Sequence, residues 1–110
     1  PVKICVRGAS NLVDFHKIVE TPYDWCGESV GFFRWSPDMA QNLTDRAKRY
    51  IARGDREAPY EEIIRDAILA TPAAFGFEDI TGTPCVEIDF PEDVRRAETE
   101  VLPVIETGLR

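Results

Sequence analysis

The run Val2-Lys3-Ile4-Cys5-Val6-Arg7-Gly8-Ala9-Ser10-Asn11-Leu12 decides how the chain begins to fold. Val2, Ile4 and Val6 alternate with Lys3, Cys5 and Arg7, the period-2 pattern of a strand with one buried face. Gly8-Ala9-Ser10-Asn11 is a turn cluster, and residues 12–19 (LVDFHKIV) read as the returning strand of a hairpin. Thr21-Pro22-Tyr23-Asp24 is a loop. Residues 29–35 (SVGFFRW) read as a further strand buried on at least one face, with Gly31 marking a close approach of backbone or ligand.

Outward from the hairpin, the helices are marked by their ends. Ser36 is an N-cap, Pro37 suits the first helical position, and Asp38 complements the positive end of the helix dipole. Met39, Leu43, Ala47 and Tyr50/Ile51 then recur at spacings of three and four, and Arg53-Gly54-Asp55 ends the helix. A second helix is expected over residues 60–70, with Ile63, Ile64, Ala67 and Ile68 as its buried stripe and Pro72 as its stop. Residues 75–80 form a weak strand or an irregular segment, Thr81-Gly82-Thr83-Pro84 a turn, and residues 85–90 a strand. Pro91 opens the last helix, with Val94, Ala97, Val101 and Val104/Ile105 on one face, and Pro103 kinks it or confines it to a short tail. The pattern predicts an α/β layer with helices packed on a small sheet.

A chain of 110 residues, 44% hydrophobic and 30% charged, is expected to make one domain. With 20 acidic against 13 basic residues the net charge is −7, which argues against a nucleic-acid partner. No apolar run has the length of a membrane span, so no membrane partner is expected. The three scattered cysteines, Cys5, Cys26 and Cys85, fit neither a disulfide framework nor a CxxC metal site and are expected to be reduced thiols of a cytoplasmic protein. Pro1 invites two readings: a piece cut from a longer protein, or a functional amino terminus such as a tautomerase base. The second lacks the expected β-α-β repeat.

The stretch Val86-Glu87-Ile88-Asp89-Phe90-Pro91-Glu92-Asp93 is the richest in chemistry. On a strand, Glu87 and Asp89 would share one face at the strand's C-terminal end, next to a helix, where α/β sheets bind ligands. Two hard oxygen donors suit Mg²⁺, which commonly takes one or two carboxylates and substrate phosphates. The alternative is that both are solvated, or that Asp89 helps start the helix. Tyr23, Trp25, Phe32, Phe33, Trp35 and Tyr60 form an aromatic-rich set able to enclose a ligand or a quaternary ammonium group, with Phe32 or Phe33 in the core. Lys17 is placed to neutralise a phosphate or is simply solvated. His16 is the single histidine, so a His-based metal site or a Ser-His-Asp triad is nearly excluded.

Four elements occur in order: residues 13–17; Gly27-Glu28-Ser29-Val30-Gly31-Phe32-Phe33-Arg34; Tyr60-Glu61-Glu62-Ile63-Ile64-Arg65-Asp66; and Glu87-Ile88-Asp89-Phe90-Pro91-Glu92-Asp93. Together they resemble the C-terminal half of nucleotidyltransferases, in particular the phosphocholine/phosphonate cytidylyltransferase-like and sugar nucleotidyltransferase-like branch. The resemblance implies a C-terminal part of a Rossmann-like nucleotide-diphospho-sugar transferase fold, a mixed sheet with packed helices, spanning residues 1–110. It further implies that the N-terminal nucleotide-binding half is absent and that this chain alone does not turn over. The implied reaction is attack by a phosphate or phosphonate oxygen of a small acceptor on an NTP, CTP favoured, with release of pyrophosphate. Lys17 and Asp89 would be catalytic, and Lys17, Trp25, Glu28 and Tyr60 would hold substrate. Asp89 with Glu87 would bind Mg²⁺. His16 and Cys85 depart from the family pattern, standing where Gly and Trp are usual. The competing reading is a non-catalytic binding module that dimerises through an exposed sheet edge.

Overall fold

The hairpin forms as the alternation requires. In the computed structural model, which describes residues 1–108, β1 (Lys3–Arg7) and β2 (Asn11–His16) pair antiparallel across the Gly8 turn, where φ is +65°. A left-handed φ favours glycine because it has no Cβ to clash. The pairing runs Lys3↔His16, Ile4↔Phe15 and Cys5↔Asp14, then steps to Val6↔Leu12 and Arg7↔Asn11. Val13 is therefore an extra residue, a β-bulge. Cross-strand partners share a face, so the bulge puts Leu12 and Phe15 on the face of Val6 and Ile4, and Asp14 and His16 on the face of Cys5 and Lys3.

The third strand is β3 (Trp25–Glu28), antiparallel to β1, giving the order β2-β1-β3. This corrects two expectations. The sheet is antiparallel throughout, not mixed, and the strand expected over residues 29–35 is irregular. There the chain turns at Gly31, at φ +79°, and the Gly31 N–H donates to Ser29 Oγ at 3.2 Å instead of to a neighbouring strand.

Helix α1 (Pro37–Ala52) starts where Ser36 accepts a hydrogen bond from the Met39 N–H at 3.1 Å, and it ends before Gly54, at φ +83°. Helix α2 (Tyr60–Ala70) buries Ile64, Ala67 and Ile68, and a 3₁₀ turn (Pro72–Ala74) follows it. Val2, Val6, Leu12, Phe15, Ile64 and Ile68 make the core, with Ile4, Trp35, Leu43, Phe75 and Phe77 packed against it. Each fully buried aliphatic side chain contributes roughly 1.5–3 kcal/mol. Along α1, Met39, Leu43, Ala47 and Tyr50 are half-buried, while Ile51, expected on the same stripe, is exposed.

Contacts divide the chain into two compact units, Pro1–Phe77 and Glu78–Arg110, and every fully buried side chain among the described residues lies in the first. In the second, residues 75–80 and 85–90 are irregular, so the strand expected over 85–90 is absent. The reason is local: the backbone N–H groups of Asp89 and Phe90 both donate to the Asp93 carboxylate, at 3.0 Å each, and are withdrawn from any ladder. Helix α3 (Pro91–Arg96) opens at Pro91 as expected, continues through a π turn (Ala97–Val101) and resumes as α4 (Leu102–Gly108). The Leu102 N–H reaches back five residues to the Ala97 carbonyl. That widened turn makes room for the Pro103 ring, which would otherwise press on the carbonyl four residues earlier. Val94, Val104 and Ile105, expected as a buried stripe, are exposed.

The cap at Ser36 is a single, local interaction. Ser36→Ala should lower the unfolding free energy by about 1 kcal/mol, read as a shift in the urea midpoint at unchanged slope.

Candidate functional site

Two residues apart and on one face of β2, Asp14 and His16 both reach helix α2. Arg65 Nε donates to Asp14 Oδ1 at 2.8 Å, and His16 Nε2 lies 3.0 Å from Glu62 Oε1. Glu62 and Arg65 are three apart, so they lie on one side of the helix. While Ile64 and Ile68 pack with Leu12 and Phe15, these two pairs hold the opposite face of β2. Helix α2 thereby engages both faces of one strand.

Asp14 is the one buried charged residue among those described, at 1% exposure. Burial alone would push its carboxyl pKa up. The hydrogen bonds from Arg65 and from the Phe15 N–H, the Arg65 charge, and a bond from Thr21 Oγ1 at 3.3 Å together outweigh burial and hold it below the ordinary carboxylate range. The same hydrogen bond to Asp14, with its charge, raises the Arg65 pKa. Beside this seam, the Tyr50 hydroxyl of α1 donates to Asp66 of α2. That bond, then burial and the Asp66 charge, raise the Tyr50 pKa. The Arg53 guanidinium sits 3.9 Å above the Tyr50 ring centre.

The expected site residues fall into several places. The register Glu28↔Lys3↔His16 puts those three side chains in one row on the polar face of the sheet, and Lys17 follows His16 directly. Tyr60, at the start of α2, lies two residues before Glu62, the His16 partner, and its ring meets Phe33 edge-on with centroids 6.3 Å apart. Lys17, Glu28 and Tyr60 are all exposed in the first unit. Glu28 stands in the polar row, whereas the Tyr60 ring, through Phe33, lies on the side of Phe15, the apolar face. Trp25 does not join the row. It pairs with Val6 at the other end of β3, donates from Nε1 to the Gly8 carbonyl at 3.3 Å, and packs edge-on against Phe77.

Glu87 and Asp89 lie in the second unit, in an irregular segment, so strand alternation no longer orients them. Both are exposed. The helix-starting role falls to Asp93, whose carboxyl pKa is lowered by the N–H groups of Asp89 and Phe90. That leaves Glu87 and Asp89 as the free oxygen donors of the segment. Among the described residues no group of three or more His, Cys, Asp or Glu side chains is arranged to hold a metal. Two exposed carboxylates nonetheless match in kind what Mg²⁺ takes from a protein when phosphate and water supply the rest.

Of the aromatic set, Phe33 and Trp35 stack at 5.1 Å with an 11° angle between rings, Phe33 meets Phe15 edge-on, and Trp35 meets Phe75. Trp35 packs against the core, whereas Phe33 touches it only through the edge contact with Phe15 and is itself exposed, and Phe32 is 88% exposed. A shallow hollow of about 350 Å³, bordered by Tyr50, Ile51, Arg56 and Ile63, includes none of the expected site residues. Sequence reasoning missed Asp14, Arg65 and Glu62. The available signal was the spacing of Leu12 and Phe15, which strict alternation cannot place on one face. No family model, curated protein or solved structure matches the chain.

A folded pKa held below the unfolded value stabilises the protein above the unfolded pKa, near 3.9 for Asp. That contribution disappears as pH falls from there through the folded pKa. Asp14→Asn, which strands Arg65, should cost about 3 kcal/mol at pH 7 and should flatten the acid loss of stability below about pH 4. Urea unfolding at pH 7 and pH 3 measures both, and a variant with the parent's pH slope would show that the pair does not hold α2.

Proposed function

We propose that the chain is the acceptor- and metal-binding part of a nucleotidyltransferase with a Rossmann-like parent fold. The parent transfers a nucleotidyl group, cytidylyl favoured, from an NTP to a small phosphorylated or phosphonate acceptor, and pyrophosphate leaves. The observation that supports this reading is the polar row Glu28, Lys3 and His16, with Lys17 directly after His16 and Tyr60 opening the helix whose Glu62 meets His16. An acceptor such as phosphocholine has an anionic and a cationic end. The Lys17 ammonium suits the first, while the Glu28 carboxylate and the Tyr60 ring suit the second. Phosphoryl and nucleotidyl transfer rests on positioning and charge neutralisation more than on covalent chemistry by the protein, and these are the services such side chains provide.

Asp89 and Glu87 are the residues that would hold Mg²⁺. The ion, when bound, neutralises triphosphate charge, which a chain of net charge −7 cannot do with its own few local cations. A second reading, a non-catalytic module that forms homodimers, draws on β3, an edge strand of four residues. A monomer by light scattering at high concentration would remove it.

Amide NMR of the full chain separates the two halves of the proposal. Phosphocholine should shift the resonances of Lys17, Glu28 and Tyr60, and Lys17→Ala should abolish those shifts while leaving the rest of the spectrum in place. Mn²⁺, as a paramagnetic stand-in for Mg²⁺, should broaden residues 87–89 selectively, and Asp89→Asn should remove the effect. Shifts confined to other residues, or broadening spread evenly over the acidic surface, would sink the corresponding assignment.

A further inference from the structure

Cys5 and Cys26 are 21 positions apart in sequence and directly opposite each other in the β1–β3 ladder. The Ser29 N–H donates to the Val2 carbonyl at 2.8 Å, which makes that opposed pair a hydrogen-bonded one. Hydrogen-bonded and non-hydrogen-bonded pairs alternate along an antiparallel ladder. Val2/Ser29, Ile4/Gly27 and Val6/Trp25 are then of the first kind, and Lys3/Glu28 and Cys5/Cys26 of the second. In a non-hydrogen-bonded pair the Cα atoms stand about 4.5 Å apart and the side chains are at their closest. That separation falls inside the range of roughly 4.4–6.8 Å that a disulfide spans. Both thiols are free, Cys5 buried and Cys26 exposed.

We propose that Cys5 and Cys26 are a redox pair that closes into a cross-strand disulfide on reaction with a small-molecule disulfide such as oxidised glutathione. The exposed Cys26 reacts first: its thiolate attacks one sulfur of the oxidant, the oxidant's S–S bond breaks, and one thiolate leaves. The Cys5 thiolate then attacks Cys26 Sγ, the mixed disulfide breaks, and the second thiolate leaves. The pair loses two electrons, the oxidant gains two, and the two thiol protons go to the departing thiolates. Burial, followed by the charges of Cys26 and Asp14, pushes the Cys5 thiol pKa up against the opposing pull of Lys3. Cys5 is thereby suited to the second, intramolecular step, where its position opposite Cys26 compensates for a small thiolate fraction. The third thiol, Cys85, lies in the other unit and serves as an internal control.

The test treats the full, reduced chain with oxidised glutathione, quenches with acid, alkylates remaining thiols and digests with trypsin. The expected product is the peptide of residues 4–7 joined to that of residues 18–34, formed within one chain as judged by size exclusion. Its formation should raise the thermal midpoint by roughly 10 °C over the reduced protein. Cys26→Ser, at an exposed position, should abolish the link and the rise, while Cys85→Ser leaves both unchanged. In the reduced protein an alkylating agent should modify Cys26 well before Cys5. Glutathione remaining on Cys26 as a stable mixed disulfide, a link that joins two chains, or Cys85 in place of Cys5 would each overturn the proposal.

Discussion

The ladder between β1 and β2 carries one extra residue, Val13, and the two-sidedness of the sheet depends on it. Without the bulge, Leu12 and Asp14 would share a face, and either a carboxylate would enter the core or an aliphatic side chain would leave it. With it, Leu12, Phe15, Ile4 and Val6 face the apolar side chains of α2, and Asp14, His16, Cys5 and Lys3 collect on the other side. The place of His16 in the polar row and the reach of Asp14 and His16 to α2 follow from that single change of phase. Bulges recur where a strand must re-aim a side chain, and here two are re-aimed together.

The Asp14–Arg65 pair then does something the apolar core cannot. Hydrophobic contact between β2 and α2 is tolerant of sliding, because Ile64 and Ile68 could bury similar area a turn away. A buried carboxylate is not tolerant, since it must meet its donors, and Asp14 has three: Arg65, the Phe15 N–H and Thr21. Desolvating the pair offsets much of its Coulombic attraction, so its net contribution is modest, whereas the penalty for separating it is large. That asymmetry sets the register of helix on strand. The His16–Glu62 contact, one helical turn away, repeats the constraint at the end where Lys17 and Tyr60 lie.

What could be read from the sequence was what neighbours decide. Ser36-Pro37 announced α1, Pro91 announced α3, and the Gly8 turn announced the hairpin, because caps and turns are settled within four residues. The four-residue β3 was missed. Trp25-Cys26-Gly27-Glu28 has little strand character of its own and is extended because β1 offers it a ladder. The converse error occurred at residues 85–90, where strand-like composition finds no ladder and Asp93 takes the backbone donors. Lys17, Glu28 and Tyr60 are named residue by residue from the resemblance, while the row that sets Glu28 beside Lys3 and His16 is visible only in the register. Cysteine spacing along the chain likewise gave no hint that two thiols face each other.

The π turn ahead of Pro103 has a geometric effect on everything C-terminal to it. Inserting one residue into the helical repeat retards the azimuth of the following turn by about 100°. Val94 and Ile105, which an uninterrupted helix would stack along a common line, are rotated out of alignment, and Val104 is carried towards the far side of the cylinder. The segment from Pro91 to Gly108 is thus a bent screw with two short apolar threads of different bearing, not a single greasy stripe. A straight neighbouring helix or a flat sheet can seat one thread at a time. Only a concave or two-sided surface can seat both.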